Sequence, residues 1–290
     1  MKPTSIQWAG HVRALAALEL TGPDAIGFAQ RISANDVAAL AIGDWHWNCV
    51  LSPQGRVLSV FRLWRSGEQK LTMILPAYAL NSTSELLARY LLRAKVTIAD
   101  SDSSVMGGES VVFDPESTRL SSSDGRWLAL GLPDQLRSCD TEDVSEAWQT
   151  RDVAQGVPWL RPDALETFTP QALSFERLDA FSVRKGCYPG QEIVARMHFL
   201  GQNKRTLRRF SSPETITSGA LLFAPTLASR VVGHVVTTVP DVEGVELLAV
   251  VQGAAADQPI FADEACGTPL RPLAFDAPPL PARLAGLAKA

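Results

Sequence analysis

The chain has 290 residues, of which 46% are hydrophobic and 20% charged, and a net charge of −4 at pH 7. A chain of this size can bury a large core and is expected to divide into two or three domains. Its acidic balance argues against a surface that coats nucleic acid. The first ten residues lack the apolar core of a signal peptide, and no run of about 18 apolar residues predicts a membrane span, so we expect a cytoplasmic protein without membrane contact.

Strand and helix patterns alternate in the first half of the chain. Asp24 is a candidate N-cap for a helix that runs through Arg31. A second helix pattern begins near Ser82, which forms a candidate capping box with Glu85. Strands interspersed with helices predict an α+β layer structure. The strand candidates in this half are residues 14–20, 45–51, 57–64, 70–75 and 96–99.

Other segments have weaker patterns. Residues 100–108 and 116–125 are rich in Ser, Asp and Gly and are interpreted as loops. After residue 209, short apolar runs broken by Gly and Pro predict a small β-barrel or sandwich. The runs that predict its strands are residues 215–223, 230–239 and 245–251.

The densest cluster of reactive, cationic and turn-forming residues is SVRKGCYPGQEIVAR, residues 182–196. Its Pro-Gly pair predicts a tight loop, because Gly reaches backbone conformations closed to other residues and Pro fixes φ. From Gln191 onward the spacing predicts a helix, in which Glu192 and Arg196 are placed for an ion pair. The predicted apolar face of this helix comprises Ile193, Val194, Met197 and Leu200.

Cys187 lies just before this predicted helix. A thiol near the positive end of a helix and beside Arg184 and Lys185 is expected to have a lowered pKa and to be reactive. The loop's backbone N–H groups and two cations equally suit the binding of a carboxylate or phosphate. A third interpretation is that Cys187 is a small buried apolar residue and the cations are solvated.

The four cysteines as a whole predict no structural site. They are Cys49, Cys139, Cys187 and Cys266, and no two of them have the Cys-x-x-Cys spacing. The four histidines are scattered as well. The sequence therefore predicts neither a disulfide framework nor a local zinc or iron–sulfur motif, and no metal site is assigned.

The run KGCYPGQE, residues 185–192, closely resembles the signature of the YgfZ-type folate-binding proteins, with FTPQ at residues 168–171 and GQNKR at residues 201–205 as further matches. That family is related to the aminomethyltransferase, or T-protein, of the glycine cleavage system and to mitochondrial iron–sulfur assembly factors. Every fixed position of the family run K-G-C-Y-x-G-Q-E is present. The resemblance is strongest over residues 151–209.

The resemblance implies an α+β fold arranged as a three-part T-protein-like ring around a central cavity, with a small C-terminal β-barrel. Residues 1–48 together with 140–208 would form a discontinuous first domain. Residues 49–139 would form a ferredoxin-like second domain, and residues 209–290 the barrel. The implied ligand of the cavity is tetrahydrofolate or another reduced folate.

The resemblance also implies roles for single residues. Trp148 matches a family aromatic that lines the folate pocket, and an indole face suits a flat pterin; a core tryptophan is the competing interpretation. A second family aromatic position falls on Leu15 here, with Trp8 nearby. The residues implied for the chemistry are Cys187 and Lys185, and those implied for folate binding are Trp148, Tyr188, Gln191, Arg196 and Arg151.

The implied function is a folate-binding accessory protein for iron–sulfur cluster assembly or repair, including iron–sulfur enzymes of tRNA modification. The alternative is a folate-dependent one-carbon transferase of the T-protein type. T-proteins carry an acidic pair after a Gly-Gly turn, but the matching stretch here ends in Leu58 and Ser59, which cannot act as general acid or base. A cysteine hydrolase is disfavoured because His198, the candidate base, has no evident acidic partner. Whether the chain is itself an enzyme stays open.

Partners are indicated by an uneven charge distribution. Residues 184–209 contain seven Lys or Arg and one acid, Glu192, so their local charge is +6. The segment 204–209 suits a folate glutamate tail or a partner protein, and is equally consistent with a solvated strand edge. Few aromatics interleave with these cations, so direct nucleic-acid binding is not expected. Iron–sulfur client enzymes or assembly proteins are the partners that the resemblance implies.

Overall fold

The computed structural model describes residues 8–109, 119–131, 142–201, 203–227 and 231–281. Cys139 and the first seven residues, like parts of the predicted segments 116–125 and 230–239, lie outside these ranges. No helix within them is long and apolar enough to span a membrane. The helices are α1 (Ala25–Ile32), α2 (Leu80–Ala88), α3 (Ser145–Ala154) and α4 (Gln191–Leu200). The strands are β1 (Trp8–His11), β2 (Leu15–Thr21), β3 (Trp45–Leu51), β4 (Val57–Gly67), β5 (Lys70–Pro76), β6 (Thr97–Asp100), β7 (Ser104–Glu109), β8 (Arg119–Ser121), β9 (Arg126–Gly131), β10 (Arg205–Ser212), β11 (Leu221–Phe223), β12 (Val231–Asp241), β13 (Gly244–Gln252) and β14 (Arg271–Leu273).

The first sheet is antiparallel and has the strand order β3-β4-β5-β2-β6. Helices α1 and α2 pack on one face, where Phe28 and Leu87 join Phe61 and Met73 in a buried cluster. Burying one apolar face of a sheet under amphipathic helices is the usual way to complete such a layer. The predicted α+β character, the β4–β5 hairpin and the first two helices are therefore confirmed.

The two predicted helix caps have different outcomes. Asp24 occupies the predicted N-cap position of α1, but its side chain makes no cap hydrogen bond, and its Oδ2 instead accepts from the N–H of Lys95 at 2.8 Å. The capping box predicted at Ser82 is wrong. Helix α2 begins two residues before Ser82, whose hydroxyl donates to the carbonyl of Ala79 at 3.1 Å. A short polar side chain can satisfy several backbone partners, and the sequence does not show which one is nearest.

The second sheet has the order β1-β7-β9-β8, and its strand β7 corrects the prediction of a loop over residues 100–108. Two glycines made this segment resemble a loop. A Cβ on Gly107 would lie 2.9 Å from the ring of Trp148, and a Cβ on Gly108 would lie 2.8 Å from the ring of Trp127. The glycines make room for tryptophans packed on the strand, which is the close approach that Gly in a strand permits.

The third sheet has the order β11-β12-β13-β10-β14 and contains the predicted strands after residue 209. In the described residues no ladder joins its edge strands β11 and β14, so the expected closed barrel is not confirmed. The ring arrangement is likewise not confirmed, and the domain boundaries stay a prediction. One large buried cluster connects the sheets, since it contains Val60 of the first, Leu128 of the second and Val250 of the third.

Candidate functional site

The loop that carries Cys187, residues 182–190, is folded tightly on itself. The Ser182 hydroxyl accepts hydrogen bonds from the backbone N–H groups of Arg184 and Lys185 at 3.2 and 3.3 Å. The Tyr188 hydroxyl donates to the carbonyl of Ser182 at 3.1 Å. Gln191, the first residue of α4, donates from Nε2 to the carbonyl of Lys185 at 3.2 Å. Side chains therefore fix the loop's shape, since it contains no regular secondary structure.

Lys185 fastens this loop to another part of the chain. Its side chain is 94% buried, and its ammonium donates to the carbonyls of Gln30, Ser33 and Asn35 at 2.6, 2.5 and 3.0 Å. Burial lowers the pKa of Lys185 to about 8, partly opposed by the negative charge of Asp36. The lysine is therefore predominantly charged at neutral pH, and each of its three protons has a carbonyl acceptor.

The segment that receives Lys185 is itself held by buried amides. Asn35 donates from Nδ2 to the carbonyls of Trp47 and Asp179 at 2.9 and 2.6 Å. The Asn48 side chain accepts from the Asn35 N–H at 2.9 Å and donates to the Ser33 hydroxyl at 3.1 Å. Buried amides hydrogen-bonded in this way specify one arrangement of the backbone, because each unpaired group would cost free energy.

Cys187 is exposed, whereas Lys185 before it and Tyr188 after it are buried and hydrogen-bonded. Tyr188 is 93% buried, and its ring centroid lies 5.1 Å from the Lys185 ammonium. Burial, with the nearby Cys49 as a smaller cause, raises the pKa of the Tyr188 hydroxyl, so this group is neutral at physiological pH. The interpretation of Cys187 as a buried apolar residue is wrong, and the structure presents its thiol to solvent on a fixed loop.

Gly190 sets the junction between the loop and α4. Its φ is +78°, and a Cβ there would lie 2.5 Å from the carbonyl oxygen of Ser52. Gly55 meets the helix from the other side, since a Cβ on it would lie 2.9 Å from Ile193. Two glycines thus let α4 begin directly against the turn after β3, and Cys187 lies four residues before the first helical residue.

The outer half of α4 differs from the prediction. Of the predicted apolar face, Val194 is fully buried, whereas Leu200 is 84% exposed. Arg196 is exposed and makes no ion pair with Glu192. The helix packs on the fold near its first two turns, where Gln171 donates to the carbonyl of Val194 at 3.0 Å. The spacing predicts an apolar face along the whole of α4, but the described residues cover only its first part.

Trp148 lies in the core. It is 1% exposed, and its ring packs edge to face with the Trp8 ring, with the ring centroids 5.8 Å apart. Its indole N–H has no partner in the described residues. The Arg126 guanidinium lies 4.4 Å and the Arg62 guanidinium 5.3 Å from its ring centroid. Cationic groups stacked on an indole are stabilised by the ring quadrupole, especially when water is excluded.

A buried charge network adjoins Trp148 and was missed in the sequence. Asp152 is fully buried and accepts from Arg62 at 3.3 Å, from Arg126 at 2.9 Å and from the indole N–H of Trp159 at 2.9 Å. Burial lowers the pKa of Arg62 to about 10, and the Asp152 charge opposes that shift. The sequence signal for this network is the arginine within the apolar run VFRLW. A charge in a buried strand is rare unless it is paired, so this arginine indicates a buried acidic partner.

A small cavity lies beside this network. It has a volume of about 10 Å³, which is room for about one water molecule. The Arg62 Nε is buried and has no partner in the described residues. Leu15 is in the wall, at the position where the family aromatic was expected. The other walls include Trp47, Val60, Arg62, Ile74, Asp152 and Trp159.

Arg151, the last of the residues implied for folate binding, forms two ion pairs. Its guanidinium contacts Glu109 at 3.2 Å and Asp276 at 3.3 Å, and so links β7 to the segment after β14. The structure thus brings Lys185, Tyr188 and Gln191 together around the Cys187 loop. Trp148, Arg151 and Arg196 each have separate surroundings.

The positions that align with the T-protein acidic pair lie on β4. Leu58 is partly exposed, and the Ser59 hydroxyl is buried and shares a 2.9 Å hydrogen bond with Thr83. Neither side chain titrates in the range used for general acid or base catalysis.

Comparison with known proteins gives two kinds of match. The chain is 31% identical over 223 residues to the tRNA-modifying protein YgfZ of Serratia proteamaculans, covering 66% of this chain and 67% of that protein. It is 28% identical over 233 residues to the tRNA-modifying protein YgfZ of Vibrio vulnificus, covering 70% and 72%. No protein-family model matches the chain.

The fold matches that of the glycine cleavage system aminomethyltransferase T from Bartonella henselae. The TM-score is 0.72, with 93% of this chain and 85% of that chain covered. The sequence identity is 14%, so this match shows that the two chains share a fold.

Proposed function

The chain belongs to the YgfZ family, and from that premise we propose that it is a folate-binding accessory protein that supports tRNA modification. Its relatives carry the name tRNA-modifying protein. On this proposal it acts in the cytoplasm through iron–sulfur enzymes that modify tRNA, which it helps to assemble or repair. The finer architecture belongs to the same proposal: a three-part ring with its central folate cavity, a C-terminal barrel and the domain boundaries given above.

One observation carries the proposal: an exposed cysteine lies on a loop that Lys185, Tyr188 and the adjoining Gln191 hold in place. Lys185, Tyr188 and Gln191 all bond to backbone carbonyls, whereas Cys187 is left facing solvent. A loop anchored by a 94% buried lysine is unusual for a surface turn, since burying an ammonium is unfavourable unless its protons are accepted. Anchoring of this kind suits a thiol that must meet a partner group in a defined geometry.

Lys185 takes a positioning role in this proposal. All three of its protons are donated to carbonyls of residues 30–35, so it holds the loop against the end of α1 and the segment that follows this helix. Cys187 is then the residue that touches the reacting group. The two residues act as a unit, because the thiol has its position only while the lysine is bound.

Groups that suit a reduced folate surround the small cavity beside Asp152. Trp159 offers an apolar wall, and Arg62, whose guanidinium lies 4.1 Å from the Trp47 ring centroid, offers a buried Nε donor without a partner in the described residues. A pterin needs such walls together with a few polar groups at its edges. The chemistry of these side chains fits a pterin, and the volume of about 10 Å³ does not, so the walls must move apart for folate to bind here.

Bound tetrahydrofolate would supply a carrier for one-carbon groups at its ring nitrogens. Arg62 would hold the pterin edge with Nε, and Trp148, stacked on the same guanidinium, would hold Arg62. The T-protein type of transfer is not part of the proposal, because Leu58 and Ser59 provide no carboxylate on β4.

The proposal is tested in a bacterial strain from which the gene for this protein has been deleted. The strain is complemented with the wild-type chain, with Cys187→Ser or with Cys266→Ser, a matched control at the partly exposed Cys266. We expect the wild type and Cys266→Ser to restore the modified nucleosides measured in total tRNA by mass spectrometry, and Cys187→Ser to fail. Full restoration by Cys187→Ser would remove the thiol from the function.

A further inference from the structure

The end of α4 exposes two consecutive large apolar side chains. Phe199 is 67% and Leu200 is 84% exposed. In the part of the chain that the structure describes, no other large exposed hydrophobic residues are adjacent in sequence. Single exposed apolar residues need no explanation, but a pair on one helix end is characteristic of interaction sites. The rings of His198 and Phe199 pack edge to face with their centroids 4.9 Å apart, which limits the rotamer freedom of the phenylalanine.

A basic groove follows directly along the chain. It has a volume of about 520 Å³, and among the described residues its lining contains two cationic side chains, Lys204 and Arg205, and no carboxylate. The backbone N–H of Gly253 donates to the carbonyl of Lys204 at 2.8 Å, which fixes one wall to the other. The described residues of the lining are Asn203, Lys204, Arg205, Gln252, Gly253 and Ala254.

One residue ties the first half of α4 to the groove. Gln171 donates from its side chain to the carbonyl of Val194 and accepts at its own carbonyl from the Asn203 side chain at 2.7 Å. Leu200 and Lys204 are four residues apart, so their Cα atoms are separated by at most about 14 Å. The apolar pair and the groove therefore adjoin each other along the chain, and together they are called the α4 surface, which consists of Phe199, Leu200, Lys204 and Arg205.

We propose that the α4 surface docks an acidic, partly apolar segment of a partner protein. Carboxylates of the partner pair with Lys204 and Arg205 in the groove, and an apolar side chain of the partner covers Phe199 and Leu200. Aromatic and arginine anchors beside apolar contacts are the composition of protein interface hot spots. The inference rests on the proposed function in one respect, because the partner it describes is a client of the accessory role.

Charge complementarity selects the occupant. The groove is cationic in a chain of net charge −4, so an acidic segment is attracted locally and the rest of the surface does not compete for it. RNA is less well matched, since Leu200, the more exposed of the pair, offers an apolar contact that a partner side chain can cover and a phosphate backbone cannot.

The test is fluorescence anisotropy of labelled probes with the purified full-length chain. The probes are a short peptide of alternating Glu and Leu, a polyglutamate of equal charge, and a single-stranded RNA of similar length. One variant combines Phe199→Ser with Leu200→Ser, and another combines Lys204→Glu with Arg205→Glu. Matched controls are Val242→Ser, at a residue that is 98% exposed, and Arg93→Glu, at an exposed arginine elsewhere.

We expect the Glu-Leu peptide to bind more tightly than polyglutamate, and each double variant to weaken it at least about tenfold, as loss of an interface anchor does. Both controls should bind like the wild type. Preference for RNA, absence of peptide binding, or unchanged binding in the double variants would each overturn the inference. Tetrahydrofolate titration of the same variants separates the two proposals, because the docking surface and the folate cavity share no residue.

Discussion

Replacing Lys185 by methionine tests whether this lysine holds the Cys187 loop. Methionine keeps most of the apolar stem and removes the ammonium, so the carbonyls of Gln30, Ser33 and Asn35 lose their donor. Two of these three contacts are buried, so water cannot fully replace the lost donor.

The magnitude follows from the three carbonyls that lose their charged donor. Hydrogen bonds to a charged group contribute about 1.5–3 kcal/mol each, and the lowered pKa of Lys185 shows that burial of the ammonium opposes them. Lys185→Met is therefore expected to lower the free energy of unfolding by about 3–5 kcal/mol, the range typical of removing one partner from a buried charged interaction.

Urea denaturation followed by tryptophan fluorescence measures this change. Arg184→Met is the matched control, because Arg184 is the neighbouring cation and its side chain is exposed, and it should change stability by less than about 0.5 kcal/mol. Lys185→Arg should also destabilise the chain, since a planar guanidinium cannot point at three carbonyls as an ammonium can. A Lys185→Met variant as stable as the wild type would refute the positioning role.

The same lysine predicts a pH dependence. Its pKa is lower in the folded chain than in the unfolded chain, so between about pH 8 and 10.5 the unfolded chain binds more protons. The stability of the wild type relative to Lys185→Met should therefore rise as the pH increases through that window. A flat or falling difference would show that the folded-state pKa is not lowered.

Further predictions concern the helix junction and the buried charges. Gly190→Ala should destabilise the fold by about 1–2 kcal/mol for its left-handed φ and more for the clash of its new Cβ, whereas Gly43→Ala, with a similar φ and open space, should show the first effect alone. Asp152→Asn should cost about 3–5 kcal/mol, because Arg62 and Arg126 would lose their shared charged partner. Urea denaturation checks both, and equal losses at the two glycines would contradict the packing at the junction.

The Cys187 loop and the start of α4 could be predicted from the sequence because their signals are local. A Pro-Gly pair and a helical spacing after it placed the start of α4 at Gln191, where the structure has it. The same spacing failed at Leu200, because periodicity shows which residues share a face and not whether another element covers that face. The motif KGCYPGQE also indicated the family, which the relatives confirm.

The partners of single side chains were beyond the sequence. The sequence predicts that Lys185 acts on the Cys187 thiol. Its ammonium instead donates to carbonyls about 150 residues away in the chain. Arg62 on β4 and Asp152 on α3 are 90 residues apart and meet only in the assembled fold. Such contacts depend on how the sheets are assembled, which local propensity does not encode.

Isothermal titration of tetrahydrofolate into the purified full-length chain tests the central claim most directly. We predict saturable binding at one site, unchanged in Cys187→Ser because the thiol is exposed and lies outside the cavity walls. The absence of binding by a chain shown to be folded would contradict the assignment of a folate-binding function.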